Sequence, residues 1–256
     1  MKIDLVEKAT PNLSNPIVIC GLPGSALVGK LAVDHLIGEL GAENLAEIYT
    51  DGLAPQVFVE SNGTAQPLKN ELLFYKGREN RIPDLVFFTA DSQPTIPEAE
   101  YNLAFFVVDY LRSKFGAKEM ITLGAFVTGE FPKVPKVYAA ATEKDLLEKA
   151  TQSGCNVMSE GSITGMNGIL LGIAKLNQMK GYSLLGETSG YALDPKASEA
   201  LLVVLDKLIG VKVDLKELEE RAKEAQNVLQ SVEAMKSQEE SDPNEKEDKK
   251  KLGYIS

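Results

Sequence analysis

The stretch GLPGSALVGKL, residues 21–31, follows the apolar run PIVIC at 16–20 and contains G-x-x-x-x-G-K, the opening of a phosphate-cradling loop. In such a loop the four intervening residues are irregular, the lysine opens the helix, and a following Ser or Thr holds magnesium. Here Leu31 follows Lys30, so the magnesium ligand is missing. Leu27, Val28, Leu31, Ala32, Leu36, Ile37 and Leu40 form an apolar face at i, i+3, i+4 spacing. That face starts a helix near Ser25, places Gly29 and Lys30 in its second turn, and turns Lys30 away from any phosphate. Gly21, Pro23 and Gly24 then form a tight strand-to-helix turn, and Gly29 lets the helix approach a strand closely. Asp91, after LVFFTA, stands where a second magnesium-holding acid would, but SQPTIP follows at once and makes it a turn or cap residue. The stretch therefore reads as strand, turn and core helix, with its helix start still able to attract an anion.

Outward from this unit, short apolar runs alternate with helical patterns up to residue 213, the signature of an α/β sheet covered on both faces. Strands are predicted at 16–21, 45–50, 56–61, 71–77, 84–90, 120–126 and 136–142. Several are apolar throughout, as strands buried on both faces are. Helices are predicted at 25–40, 97–115, 143–153, 166–179 and 195–209. Pro97 and Gly116 bracket the second, whose apolar content suits a subunit interface as well as a core. Asp194 is an N-cap for the last.

The 256 residues carry a formal charge of −10, and no basic stripe precedes the tail, which argues against a nucleic-acid partner. No apolar run reaches the roughly 18 residues of a membrane helix, and MKIDLVEKATPN has no signal-like apolar region, so a cytoplasmic protein without a membrane partner is expected. Cys20 and Cys155 are the only cysteines and read as core thiols. His35 is the only histidine. A surface or interface place is expected for it, and a histidine-based metal site or catalytic triad would depend on that single ring.

From Asp214, Leu215, Leu218, Ala222, Ala225, Leu229 and Val232 repeat at alternating spacings of three and four, a heptad seam with charged flanks. The seam either packs on its own domain or pairs subunits; Leu215, Leu218, Leu229 and Val232 are the candidate oligomer-interface residues. From Ser237 the chain has no apolar residue before Leu252, a composition that cannot bury enough surface to order itself. Three parts are thus expected: an α/β body at 1–213, a heptad helix at 214–236 and a disordered charged tether at 237–256. A flexible segment of that length has a reach of roughly 25 Å.

IVICGLPGSALVGKLAVDHLI, DGLAPQVFVE, TADSQP, LGAFVTGEFPKVPKVYAAAT, GSITGMNGILLGIAK and LLGETSGYALDPKASEALLVVLDKLIG, taken in order, resemble the proteasome assembly chaperone 2 family over residues 15–210. The resemblance implies a three-layer α/β/α sandwich with purine nucleoside phosphorylase-like topology, no catalytic activity and no cofactor. It also implies homo-oligomerisation and, in archaeal relatives, attachment to the α-ring of the 20S proteasome through a flexible C-terminal segment; an intact single domain with this tail suggests an archaeal origin. The family's docking signal is a hydrophobic residue, a penultimate tyrosine and a free carboxylate. This chain ends Leu252-Gly253-Tyr254-Ile255-Ser256, with the tyrosine third from the end and preceded by glycine. Leu252, Tyr254, Ile255 and Ser256 are accordingly the candidate partner-binding residues.

The rival reading is a phosphate- or metabolite-binding protein, or an enzyme, using the Gly21 turn together with Gly161–Gly172. Gly165 and Gly168 precede an apolar helix and either expose amides or permit close packing, the latter being favoured because no basic residue stands beside them. Glu130 and Glu187 are the acids such an enzyme would use, yet carboxylates beside glycines at strand ends more often cap turns. No acid, base and nucleophile assemble from spacing, and no catalytic, cofactor or metal residue is assigned.

Overall fold

The computed structural model describes residues 2–77 and 82–224. In chain order these form β1 (Ile3–Glu7), β2 (Ile17–Gly21), α1 (Val28–Leu40), β3 (Glu43–Thr50), β4 (Val57–Val59), β5 (Ala65–Pro67), β6 (Asn70–Tyr75), β7 (Leu85–Ala90), α2 (Pro97–Phe115), β8 (Glu119–Val127), β9 (Val137–Ala141), α3 (Lys144–Gln152), β10 (Asn156–Val157), α4 (Gly165–Leu176), β11 (Lys180–Thr188) and α5 (Pro195–Ile209). One sheet of nine strands runs β1-β3-β6-β7-β2-β8-β11-β9-β10. Its centre, β7-β2-β8-β11, is parallel, while β1, β3 and β6 pair antiparallel on one side and β9 pairs antiparallel to β11 on the other.

Successive side chains on a strand point to opposite faces, and β7 shows the consequence most plainly. Phe88 enters a core with Leu103 and Val107 of α2 and Leu170 of α4, whereas Phe87 enters a second core with Leu36 of α1, Leu146 of α3 and Leu201 of α5. The architecture is therefore a mixed α/β sandwich with helices on both faces. Both phenylalanines are fully buried, and truncating either to alanine costs about 3–5 kcal/mol.

Helix limits follow local chemistry. Pro97 opens α2, acids occupy its first turn and Arg112 and Lys114 its last, and Gly116 closes it in the left-handed region at φ 67°. In α5 the Asp194 carboxylate accepts from Ala197 N at 3.0 Å, as an N-cap does.

Several expectations are corrected. The stretch 180–188 is an inner strand, although no strand was predicted there. Gly181, Ser183, Gly186 and Glu187 dilute its apolar signal, and Gly186 is needed because a side chain there would collide with Val28 and the Ala197 backbone. The predicted strand at 56–61 shrinks to β4, which pairs only with β5, outside the main sheet. β1, β5 and β10 were also not predicted, being short or polar edge segments.

His35 is buried, not at the surface, and its Nε2 lies 2.6 Å from the Asp214 carbonyl oxygen. The helical residues 216–224 return against α1 and α5 and bring Leu218, 1% exposed, into the second core with Leu215 packed beside it. Within the described residues the seam begins as part of the body. At Leu218 the structure therefore shows the own-domain packing that the sequence left as one of two alternatives.

Candidate functional site

The turn 21–27 is not a phosphate loop. Ser25–Leu27 form one 3-10 turn, and α1 proper starts at Val28, so Gly29 and Lys30 lie in its first turn and not in its second. Ala26 and Leu27 both sit at φ 53°, a conformation that costs about 1–3 kcal/mol for each non-glycine residue. Tertiary hydrogen bonds hold the turn: Asp194 N donates to Ala26 O at 3.1 Å, and the Ser198 hydroxyl donates to Val28 O at 2.8 Å. Lys30 points outward as expected, its ammonium 2.6 Å from Asp34 Oδ1 one turn along the helix. Asp91 also fills its structural role, accepting from Lys69 N at 2.9 Å and donating its own amide to Lys69 O at 3.0 Å.

The glycines serve packing. A Cβ at Gly29 would lie on the backbone carbonyl of Leu123 in β8, so α1 rests directly on that strand. From the other face Asn167 of α4 donates through Nδ2 to the same carbonyl at 3.0 Å. Two helices on opposite faces are thus pinned to one peptide of the sheet. Gly168 similarly admits the Ile163 carbonyl, where any side chain would collide.

Gln93, which the sequence did not single out, joins these units. Its Nε2 donates to Pro23 O at 2.5 Å, and its Oε1 accepts from Met166 N at 3.0 Å. One side chain therefore ties the β2–α1 turn to the start of α4. Its partners lie 70 and 73 residues away in the chain, so no local pattern marks it.

Between these braced turns, at the carboxyl ends of β2, β8 and β11, lies a cavity of about 400 Å³. The Gly21 turn and the Gly161–Gly172 stretch, paired in the rival reading, do meet there. The proposed acids do not form a catalytic pair. Glu187 Oε2 accepts from Lys136 N at 3.0 Å, which makes it a turn clamp, and Glu130 is exposed on the neighbouring loop. Among the described residues, no group of three or more His, Cys, Asp or Glu is placed to hold a metal ion. Both cysteines are buried, and burial raises the Cys20 thiol and pushes the Cys155 thiol up to about 11.

Leu229, Val232, Leu252, Tyr254, Ile255 and Ser256 lie outside the described residues. The body also exposes large apolar side chains that the sequence did not single out. Among them are Val57, Phe58 and Val59 of β4 and Ile96, Tyr101 and Phe105 at the start and along α2. Val127, which lines the cavity, Phe131, Val134, Tyr191 and Leu193 are exposed as well.

Residues 18–233 match the PAC2 family. The chain belongs to the PAC2 family. This PAC2 protein is similar in structure to Pyrococcus furiosus PbaB, an archaeal proteasome activator, at 38% identity and a TM-score of 0.85, over 90% of this chain and 98% of that one. Pyrococcus furiosus PbaA, an archaeal homolog of proteasome-assembly chaperone, aligns at 28% identity and a TM-score of 0.74 over 99% of both chains. In sequence, an uncharacterized protein of Methanocaldococcus jannaschii is 34% identical over 221 residues, 86% of this chain and 84% of that protein. The family and the mixed α/β fold read from the sequence are both upheld.

Proposed function

We propose that this PAC2 protein is a homo-oligomeric, non-enzymatic cytoplasmic factor that binds the α-ring of the 20S proteasome through its C-terminal segments. The observation that carries the reading is its near-complete alignment, at 38% identity, with an archaeal proteasome activator. Leu252, Tyr254, Ile255 and the terminal Ser256 supply an aromatic anchor, apolar flanks and a carboxylate. Several copies presented by one oligomer raise the effective concentration of each, which offsets weak individual contacts.

Self-association is assigned first to the exposed apolar residues of β4 and of α2. An isolated two-stranded hairpin is marginal in water, and all three β4 residues are exposed. A second copy would cover residues of this kind, Tyr101 and Phe105 of α2 included, with Leu229 and Val232 as further candidates farther along the seam.

The test compares the full chain with a version ending at Lys251, each titrated against an archaeal 20S particle. Native mass spectrometry reads binding while peptide hydrolysis reads stimulation. Loss of both on truncation is the expected result. Equal binding by the two versions sinks the tail mechanism, and absence of binding by the full chain sinks proteasome association.

A further inference from the structure

The proposed tail docking makes no use of the cavity at the carboxyl edge of the sheet. We infer that this cavity binds a small uncharged molecule with a flat apolar body and a carbonyl-type acceptor. Its position is the first reason. It opens beyond the carboxyl ends of the parallel strands β2, β8 and β11, the edge at which open α/β sheets bind ligands. Its size of about 400 Å³ lies within the range of small-molecule sites.

Its chemistry selects the ligand. Among the described residues that line it, none carries a charged side chain, so an ionised ligand would surrender hydration with no opposite charge to replace it. Leu22, Phe126, Met158 and Ile163 supply apolar wall, and the Phe126 ring is fixed by stacking on Tyr138 at 4.1 Å between centroids. The hydroxyls of Ser25, Ser162 and Thr164 line the same space. Thr164, although it occupies the N-cap position of α4, makes no side-chain capping bond. Since Gln93 already takes the Met166 amide at that helix start, the hydroxyls of Ser25, Ser162 and Thr164 are the donors offered to a carbonyl-type acceptor.

The walls are also set before any ligand arrives. Gln93 holds the two sides together, and the left-handed Ala26 and Leu27 are locked by contacts from α5. A preformed site loses little freedom on binding.

The test uses the full-length protein with benzamide and 2-pyridone as neutral probes and benzoate and benzylammonium as their charged counterparts, followed by saturation-transfer NMR. Both neutral probes are expected to bind, with the charged pair weaker by about ten-fold or more. Ser162→Trp, at an exposed loop position, is expected to fill the cavity and weaken neutral-probe binding by a similar factor. Thr164→Trp is a second obstruction, and thermal unfolding of each variant checks that the body is intact.

Failure of both neutral probes at millimolar concentration overturns the inference. So does equal affinity for benzoate, or undiminished binding in both tryptophan variants. Truncation at Lys251 should leave probe binding unchanged, and Ser162→Trp should leave association with the 20S particle unchanged, so this inference and the tail mechanism can fail separately.

Discussion

Replacing Gly29 by alanine sets two physical effects of opposite sign against each other. Helix propensity alone favours alanine over glycine by about 0.8–1 kcal/mol, so an unobstructed α1 would gain stability. The added Cβ would lie on the Leu123 carbonyl and 3.2 Å from Gly124 N. Backbone atoms cannot rotate aside as a side chain can, so α1 must lift from β8. Overpacking of this kind costs about 1–3 kcal/mol and more where the obstacle is rigid. Taking the upper end less the propensity gain leaves a net loss of about 2 kcal/mol, or about 4–8 °C in Tm for a body of this size. Gly38, on the same helix, is the internal control because a Cβ there meets nothing within 4 Å. Gly38→Ala should raise Tm by about 1–4 °C. Calorimetry or circular dichroism reads both variants, and isothermal titration with ATP should give no heat for either or for the parent. A rise in Tm for Gly29→Ala would refute the packing role assigned to the glycine motif.

Gln93→Ala removes both bonds of its brace and should destabilise by about 1–3 kcal/mol, whereas Gln93→Glu should be no better because a carboxylate cannot donate to Pro23 O; chemical denaturation measures both. Asp84 accepts from Ser14 N, Gly77 N and the Lys76 ammonium at 2.6, 2.8 and 2.7 Å. Burial by itself would raise its carboxyl, but those three donors outweigh it and hold the group below the ordinary carboxylate value. A depressed folded-state pKa adds stability above the unfolded value near 4 that disappears as pH falls through the folded one. Asp84→Asn should accordingly be less stable at pH 7 and lose less on acidification, and parallel pH profiles would contradict the assignment. Phe105→Asp together with Tyr101→Asp should lower the mass seen by light scattering, and an unchanged mass would remove α2 from the self-association surface.

Local chemistry made much of the fold legible. The runs 97–115 and 195–209 are helices because Pro at the start, Gly at the end and apolar periodicity agree within each segment. The apolar run at 84–90 reads as a two-face buried strand and is one. The mismatch at Leu31 was enough to turn the glycine motif from chemistry to packing. These signals act over a few residues, so the chain alone determines the elements they bracket, together with the family to which the ordered motifs belong.

What the tertiary structure decided are the relations between distant segments. β11 is a central strand by virtue of its neighbours, since its own glycines and polar residues argue against it until α1 and α5 need the room. Leu218 has an apolar period that fits a subunit seam or a core equally, and only its burial in the second core shows where it packs within its own chain. Gln93 joins backbone groups 70 and 73 residues away, and the cavity exists because the two turns it braces are brought together by the sheet. Periodicity specifies which face of an element is apolar, whereas the surface that covers it depends on strand order and layer, which no local window contains.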